Sequence, residues 1–176
     1  HAIPRICWQR QGDQGLPETA AQTRTVHHTL AGSTVSPPTG AFFQATAESE
    51  TLIQQAVLDA FPKLNKRDVV IELYAGCGTL SFPLASRARV QAYEGYPPAA
   101  TALKNASGGT RLEVACRDLN RQPIMAKELA QAGCVVLDPP HTGARLQMKQ
   151  IAMGKPRHLI YVSCNPAALT KDAAAL

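Results

Sequence analysis

From residue 68 onward the chain alternates two patterns of apolar residues. Short unbroken apolar runs fall at residues 68–74 (DVVIELY), Arg89–Glu94, 111–116, 134–138 (CVVLD) and 158–163 (HLIYVS). Between them, at residues 79–86, Pro97–Ala106, 125–132 and 144–153, the apolar positions recur at helical spacing, and one more such stretch opens at Pro166. An unbroken run suits a strand covered on both faces, whereas helical spacing gives a one-sided stripe. The alternation predicts an α/β domain with a parallel, doubly wound sheet of Rossmann-like topology, because such crossovers are right-handed. An earlier helix is predicted over residues 47–61, where Leu52, Ile53, Ala56, Val57 and Ala60 keep helical spacing and Pro62 closes the run.

Residues 1–40 lack a sustained period and are rich in Gly, Pro, Thr and Gln. They read as an irregular N-terminal arm, or the end of a preceding domain, with short strands at residues 23–30 and Ser33–Val35 and a turn at residues 36–40. The expected division is therefore an arm at 1–40 and a main domain at 41–176. With 176 residues the chain has room for one compact domain. It starts at His1 and stops inside a predicted helix, so the domain is expected to be truncated at its C-terminus.

Composition narrows the classes. Hydrophobic residues make up 45% and charged residues 18%, which excludes an intrinsically disordered chain. No apolar run approaches the roughly 18 residues of a membrane span, and no signal peptide opens the chain, so a cytoplasmic protein without membrane partners is expected. The five cysteines (Cys7, Cys77, Cys116, Cys134 and Cys164) are odd in number and widely spaced. They fit reduced thiols better than a disulfide framework, and no pair has metal-ligand spacing, so no metal is expected. A net charge of +5 permits a polyanionic partner without requiring one.

Ligands of an open parallel sheet bind beyond the carboxyl ends of its strands, so the candidate chemistry is read there. The first strand runs into Tyr74-Ala75-Gly76-Cys77-Gly78-Thr79, a Gly-x-Gly turn that lets the backbone approach a ligand, or simply makes a tight strand-to-helix turn. The second ends in Glu94, suited to both hydroxyls of a ribose, with a solvated surface carboxylate as the alternative. The third leads to Asp118, which can accept the exocyclic amine of adenine or serve as a turn residue. Together these tips describe a nucleoside site. No phosphate-seeking lysine accompanies them, which favours S-adenosylmethionine, with a nicotinamide dinucleotide still open. The fourth strand ends in Asp138-Pro139-Pro140-His141, a rigid turn. The fifth ends in Ser163-Cys164-Asn165-Pro166, where Asn165 suits a helix N-cap and Pro166 the first helical position. That puts Cys164 just ahead of a helix N-terminus, which favours the thiolate and makes it the candidate nucleophile.

With Phe42-Phe43-Gln44, LYAGCGTLSFPLA (73–85), Glu94, DPPHTG (138–143) and YVSCNPAALTKD (161–172) in this order, the chain resembles the uracil-5 RNA methyltransferases, which make 5-methyluridine in tRNA or rRNA. The resemblance spans about residues 40–172 and implies a class I methyltransferase domain. It further implies S-adenosylmethionine as cofactor and RNA as substrate. Gln44, Tyr74, Gly76, Gly78, Thr79, Glu94, Asp118 and Asp138 would contact the cofactor, and Cys164 would be the catalytic nucleophile. Thr46 and His141 stand where the family commonly has asparagine and arginine. The family's general-base glutamate lies in a segment beyond the fifth helix, so this chain alone is expected to be catalytically incomplete. Two other classes stay open: a non-catalytic RNA- or cofactor-binding module, and a nicotinamide-dependent oxidoreductase.

Overall fold

The structure is a computed structural model, and it describes residues 3–12 and 15–176. Two hairpins come first: β1 (Arg5–Trp8) pairs antiparallel with β2 (Glu18–Gln22), and β3 (His28–Leu30) with β4 (Ser33–Val35). Helix α1 (Ala47–Ala60) follows. Then come β5 (Val69–Leu73), α2 (Ser81–Arg87), β6 (Arg89–Glu94), α3 (Pro97–Ala106) and β7 (Leu112–Cys116). The chain closes with α4 (Ala126–Leu129), β8 (Cys134–Leu137), α5 (Arg145–Gly154), β9 (Leu159–Tyr161) and α6 (Pro166–Ala173).

Strands β5 to β9 form one sheet in the order β7-β6-β5-β8-β9, with every neighbouring pair parallel. The predicted doubly wound α/β sheet is therefore present. The chain moves outward from β5 through β6 to β7, then returns across β5 to lay down β8 and β9. That reversal opens a crevice at the carboxyl ends of the strands beside β5.

The sheet separates two hydrophobic clusters. Along β5, Val70 belongs to one cluster and Ile71 and Leu73 to the other, as the alternation of side chains in a strand requires. Val70, Val90 and Val136 pack with Val57 of α1 and Leu103 of α3. On the opposite face Val135 and Leu137 pack with Leu129, Met148 and Ile151 of α4 and α5. Removing one such leucine from water contributes about 2 kcal/mol, so this two-sided burial is what holds the parallel sheet. Leu30 and Val35 of the second hairpin are fully buried in the first cluster.

The N-terminal arm is more regular than its sequence predicts. Periodicity gives no strand over residues 5–22, yet the structure has β1 and β2 there. All five residues of β2 are exposed, and so are Ile6, Cys7 and Trp8 of β1. A ribbon with no buried face is under no pressure to alternate, so it leaves no period to read. The strand predicted at 23–30 shrinks to His28–Leu30. Likewise, the helix predicted at 125–132 is the single turn Ala126–Leu129. The buried amide of Gln147 on α5 supports the backbone entering that turn, donating to the Ile124 carbonyl at 3.0 Å and accepting from the Ile124 N–H at 2.8 Å.

The turn after β5 is fixed by sterics at Gly78. Its φ is +103°, and a Cβ there would lie 2.5 Å from Leu103 Cδ1 and 2.7 Å from Phe82 Cε2. Gly78→Ala therefore combines a strained backbone with overpacking. It is expected to cost more than about 2 kcal/mol, read as a lowered midpoint in thermal unfolding.

Candidate active site

A cleft of about 870 Å³ lies across the carboxyl ends of the sheet. That is within the range of small-molecule sites, roughly 300–1,000 Å³. Every strand of the sheet contributes to its wall. Tyr74, Gly76 and Thr79 come from the turn after β5, Glu94 from the end of β6, and Asp118 from the loop after β7. Asp138 to His141 come from the loop after β8, and Cys164 from the turn after β9. Gln44, from the loop ahead of α1, closes the near side. Of the residues the sequence assigned to the site, Gly78 alone is not in the lining. Its Cα faces Leu103 and Phe82 instead, so it shapes the turn from below.

The β5 turn is built for close approach. Tyr74 adopts the left-handed region at φ +63°, rare for a bulky side chain and a mark of local strain held in place by its surroundings. Glu94 supplies part of that hold. Its Oε2 accepts the Gly76 N–H at 2.7 Å and its Oε1 accepts the Tyr96 N–H at 2.6 Å. Each oxygen keeps a further acceptor site, so the same carboxylate that shapes the glycine turn can still receive hydroxyls in the cleft. Asp118 is a turn residue that also lines the cleft, its Oδ1 accepting the Asn120 N–H at 3.0 Å.

Beyond β9 the local structure matches the sequence. The Asn165 Oδ1 caps α6, accepting from Ala167 N–H at 3.0 Å and Ala168 N–H at 3.3 Å, with Pro166 at the first helical position. Cys164, directly before that cap, is exposed. By contrast, Cys77 and Cys134 are buried, and burial pushes their thiols up to about 11 and about 12. At the N-terminal end of α1, Thr46 is the N-cap, its hydroxyl accepting from the Ser49 N–H at 3.1 Å.

Two residues of the cleft escaped the sequence reading of the strand tips. Glu72 sits one residue before the end of β5, is 2% exposed, and lines the cleft with an Oε2 that has no hydrogen-bond partner. Burial raises its carboxyl to about 8, with the nearby Ser81 opposing and the charges of Asp138 and Glu94 adding to the rise. The signal was one acidic residue inside an otherwise apolar run, VVIEL. Phe42, 78% exposed, stands in the cleft wall together with Cys164. An aromatic ring left in solvent at that place becomes meaningful only once the loop's position is known.

The lining contains four acidic side chains, Glu72, Glu94, Asp118 and Asp138, and neither lysine nor arginine, and of the four the raised Glu72 carboxyl keeps its proton at neutral pH. Burial pushes Asp138 up to about 6. A cleft of this sign attracts a cationic ligand and opposes a pyrophosphate. Among the described residues no cluster of His, Cys, Asp or Glu is grouped to hold a metal ion, and no helix is long and apolar enough to cross a membrane.

The strand order and the cleft define the class: this is the class I methyltransferase fold. A tRNA (uracil-54, C5)-methyltransferase from Pyrococcus abyssi, solved with S-adenosyl-L-homocysteine, superposes with a TM-score of 0.79 at 18% identity, covering 100% of this chain and 45% of that one. By sequence, a protein named as an uncharacterised RNA methyltransferase of Caulobacter vibrioides is 41% identical over 152 residues, covering 84% of this chain and 36% of the relative. The 23S rRNA (uracil-C5)-methyltransferase of Pseudomonas putida is 40% identical over 146 residues, covering 78% of this chain and 31% of the relative. No protein-family model matches. By these relations the chain is similar to part of several RNA methyltransferases, a uracil-C5 enzyme among them. It spans about a third of the length of the curated relatives it matches.

The buried carboxyl of Glu72 sets a pH dependence. Its pKa in the folded chain, about 8, lies well above the ordinary carboxyl value of about 4.5. The folded state therefore holds the proton more tightly than the unfolded state, and stability falls as pH rises between those two values. In urea unfolding, the wild type is expected to weaken from about pH 5 to about pH 8, and Glu72→Gln to flatten that loss.

Proposed function

We propose that this chain forms the cofactor cleft and the nucleophile of an S-adenosylmethionine-dependent RNA methyltransferase acting on carbon 5 of uridine. The observation that carries the reading is the shared cleft. An exposed cysteine ahead of a capped helix opens onto the same wall as a set of carboxylates able to hold a cationic nucleoside. The four acidic side chains, Glu72 with its unpartnered oxygen among them, fit that cofactor, whose sulfonium and ammonium groups are both cationic.

When bound, S-adenosylmethionine supplies an electrophilic methyl group on its sulfonium. Glu94 would receive the ribose hydroxyls, Asp118 the adenine amine, and Glu72 and Asp138 would face the positive end. Gln44 closes over the cofactor from the side of α1. Cys164 acts on the other reactant. Its thiolate adds to carbon 6 of uracil, forming a C–S bond, and the electron pair of the 5,6 double bond moves onto carbon 5 and the adjacent carbonyl oxygen. Carbon 5 would then be the nucleophile toward the methyl group, with the electron pair of the broken carbon–sulfur bond left on sulfur. Loss of the proton from carbon 5 to a base restores the double bond and releases the Cys164 thiolate. The target base must leave its stack to reach this cleft, and the exposed ring of Phe42 offers it a new stacking surface.

Calorimetric titration of the chain with S-adenosylhomocysteine is expected to give binding that Glu94→Ala weakens at least tenfold. In a second assay the chain is incubated with S-adenosylmethionine and an excess of an oligoribonucleotide containing 5-fluorouridine. Fluorine in place of the departing proton blocks the final elimination, so a covalent protein–RNA band is expected on a denaturing gel. That band should be absent with Cys164→Ala. A folded wild-type chain that binds S-adenosylhomocysteine but forms no such band would overturn the proposed role of Cys164.

A further inference from the structure

We infer that Asp172 is a positioning residue that locks the loop after β8 to α6 and thereby sets the distance between Cys164 and the cofactor end of the cleft. This rests on the reading of Cys164 as the nucleophile. Asp172 lies on α6, outside the lining of the cleft, and is 5% exposed. A buried carboxylate that does not line the cleft needs a reason, because burying its charge is costly unless hydrogen bonds compensate.

Its partners supply the reason. The Asp172 Oδ2 accepts the Ala144 N–H at 2.6 Å and the Tyr161 hydroxyl at 2.7 Å. Ala144 ends the loop that begins at Asp138, and Tyr161 ends β9, three residues before Cys164. One carboxylate thus joins the loop of Asp138, the strand leading to Cys164, and the helix that follows Cys164. The loop is shaped to receive it. Its turn closes through Gly143 N–H to Pro140 carbonyl at 2.8 Å, and Gly143 adopts φ +84°. A Cβ on Gly143 would stand 2.7 Å from the Asp172 Oδ2, so only glycine lets the loop lie flat against this oxygen.

A second tie comes from the first turn of the same helix. The Asn165 Nδ2 donates to the His141 carbonyl at 2.9 Å while its Oδ1 caps α6. The loop is therefore held at its middle by Asn165 and at its end by Asp172, both on the element that follows Cys164. With both ties made, Asp138 and Cys164 are parts of one rigid unit. With the Asp172 tie lost, Cys164 still faces the cleft, but its separation from Asp138 is no longer fixed. A misplacement of about 1 Å between reacting groups can slow a reaction about 100-fold.

The test uses the full chain and reads S-adenosylhomocysteine affinity and the rate of the covalent 5-fluorouridine adduct side by side. Asp172→Ala should slow adduct formation at least tenfold and change the affinity less than threefold. Asp172→Asn keeps the volume and one acceptor for Ala144, and should restore most of the rate. Gly143→Ala, which crowds the same oxygen, should behave like Asp172→Ala. Should Asp172→Ala prove unfolded, Gly143→Ala and Asp172→Asn carry the comparison. An adduct rate within twofold of wild type in Asp172→Ala or Gly143→Ala would overturn the inference, as would a loss of affinity equal to the loss of rate. An adduct that survives Cys164→Ala would instead overturn the reading of the nucleophile.

Discussion

Everything in the domain hangs on burying both faces of β5. It is the central strand, paired in parallel with β6 on one side and β8 on the other. Parallel pairs need long crossovers, and the helices in those crossovers are what cover the sheet. The hydrophobic clusters on the two faces are thus a consequence of the connectivity. So is the cleft, because the chain reverses direction across β5 and leaves the strand ends on either side of it uncovered. Burying β5 also isolates Glu72, the one charged residue in its run, and forces its carboxyl upward to about 8.

The cleft's chemistry follows from that isolation. Carboxylates gathered at strand ends repel one another, and a cationic ligand relieves the repulsion while a phosphate would aggravate it. This is the physical basis for preferring a sulfonium cofactor over a dinucleotide. Glu94 illustrates how economical the arrangement is. Its two oxygens hold the backbone of the glycine turn and of the start of α3, and so the group proposed to recognise a ligand also fixes the loop beside the cleft. Helix α6 has a similar double duty, capped beside Cys164 at one end and anchored to the β8 loop through Asp172.

Much of this was legible from the chain. Five short, mainly apolar runs gave five parallel strands, most cleanly at β5 and β8, which are buried almost throughout. Asn165 and Pro166 gave the start of α6, because a helix N-terminus needs an acceptor and tolerates the missing N–H of proline. The positions of Glu94, Asp118, Asp138 and Cys164 in one cleft follow from the rule that strand ends converge. Gln44 was different: no period or spacing marks it, and only the resemblance to a known family drew attention to it.

The sequence by itself determined the strands, their parallel pairing and the end of the sheet at which chemistry gathers, because continuous burial and turn sterics are local demands that each residue meets or fails. Only the tertiary structure decided the rest. The β1–β2 ribbon has no buried face and so writes no period. Gly78 faces the core and not the ligand, a matter of where Leu103 and Phe82 lie. Glu72 becomes a perturbed acid only when helices close over it. Asp172, 28 residues after Ala144 in sequence, meets the Ala144 N–H only once β9 and α6 have packed beside β8. Contacts between residues so far apart depend on how elements stack, and that stacking is a property of the whole sheet, not of any one stretch of the chain.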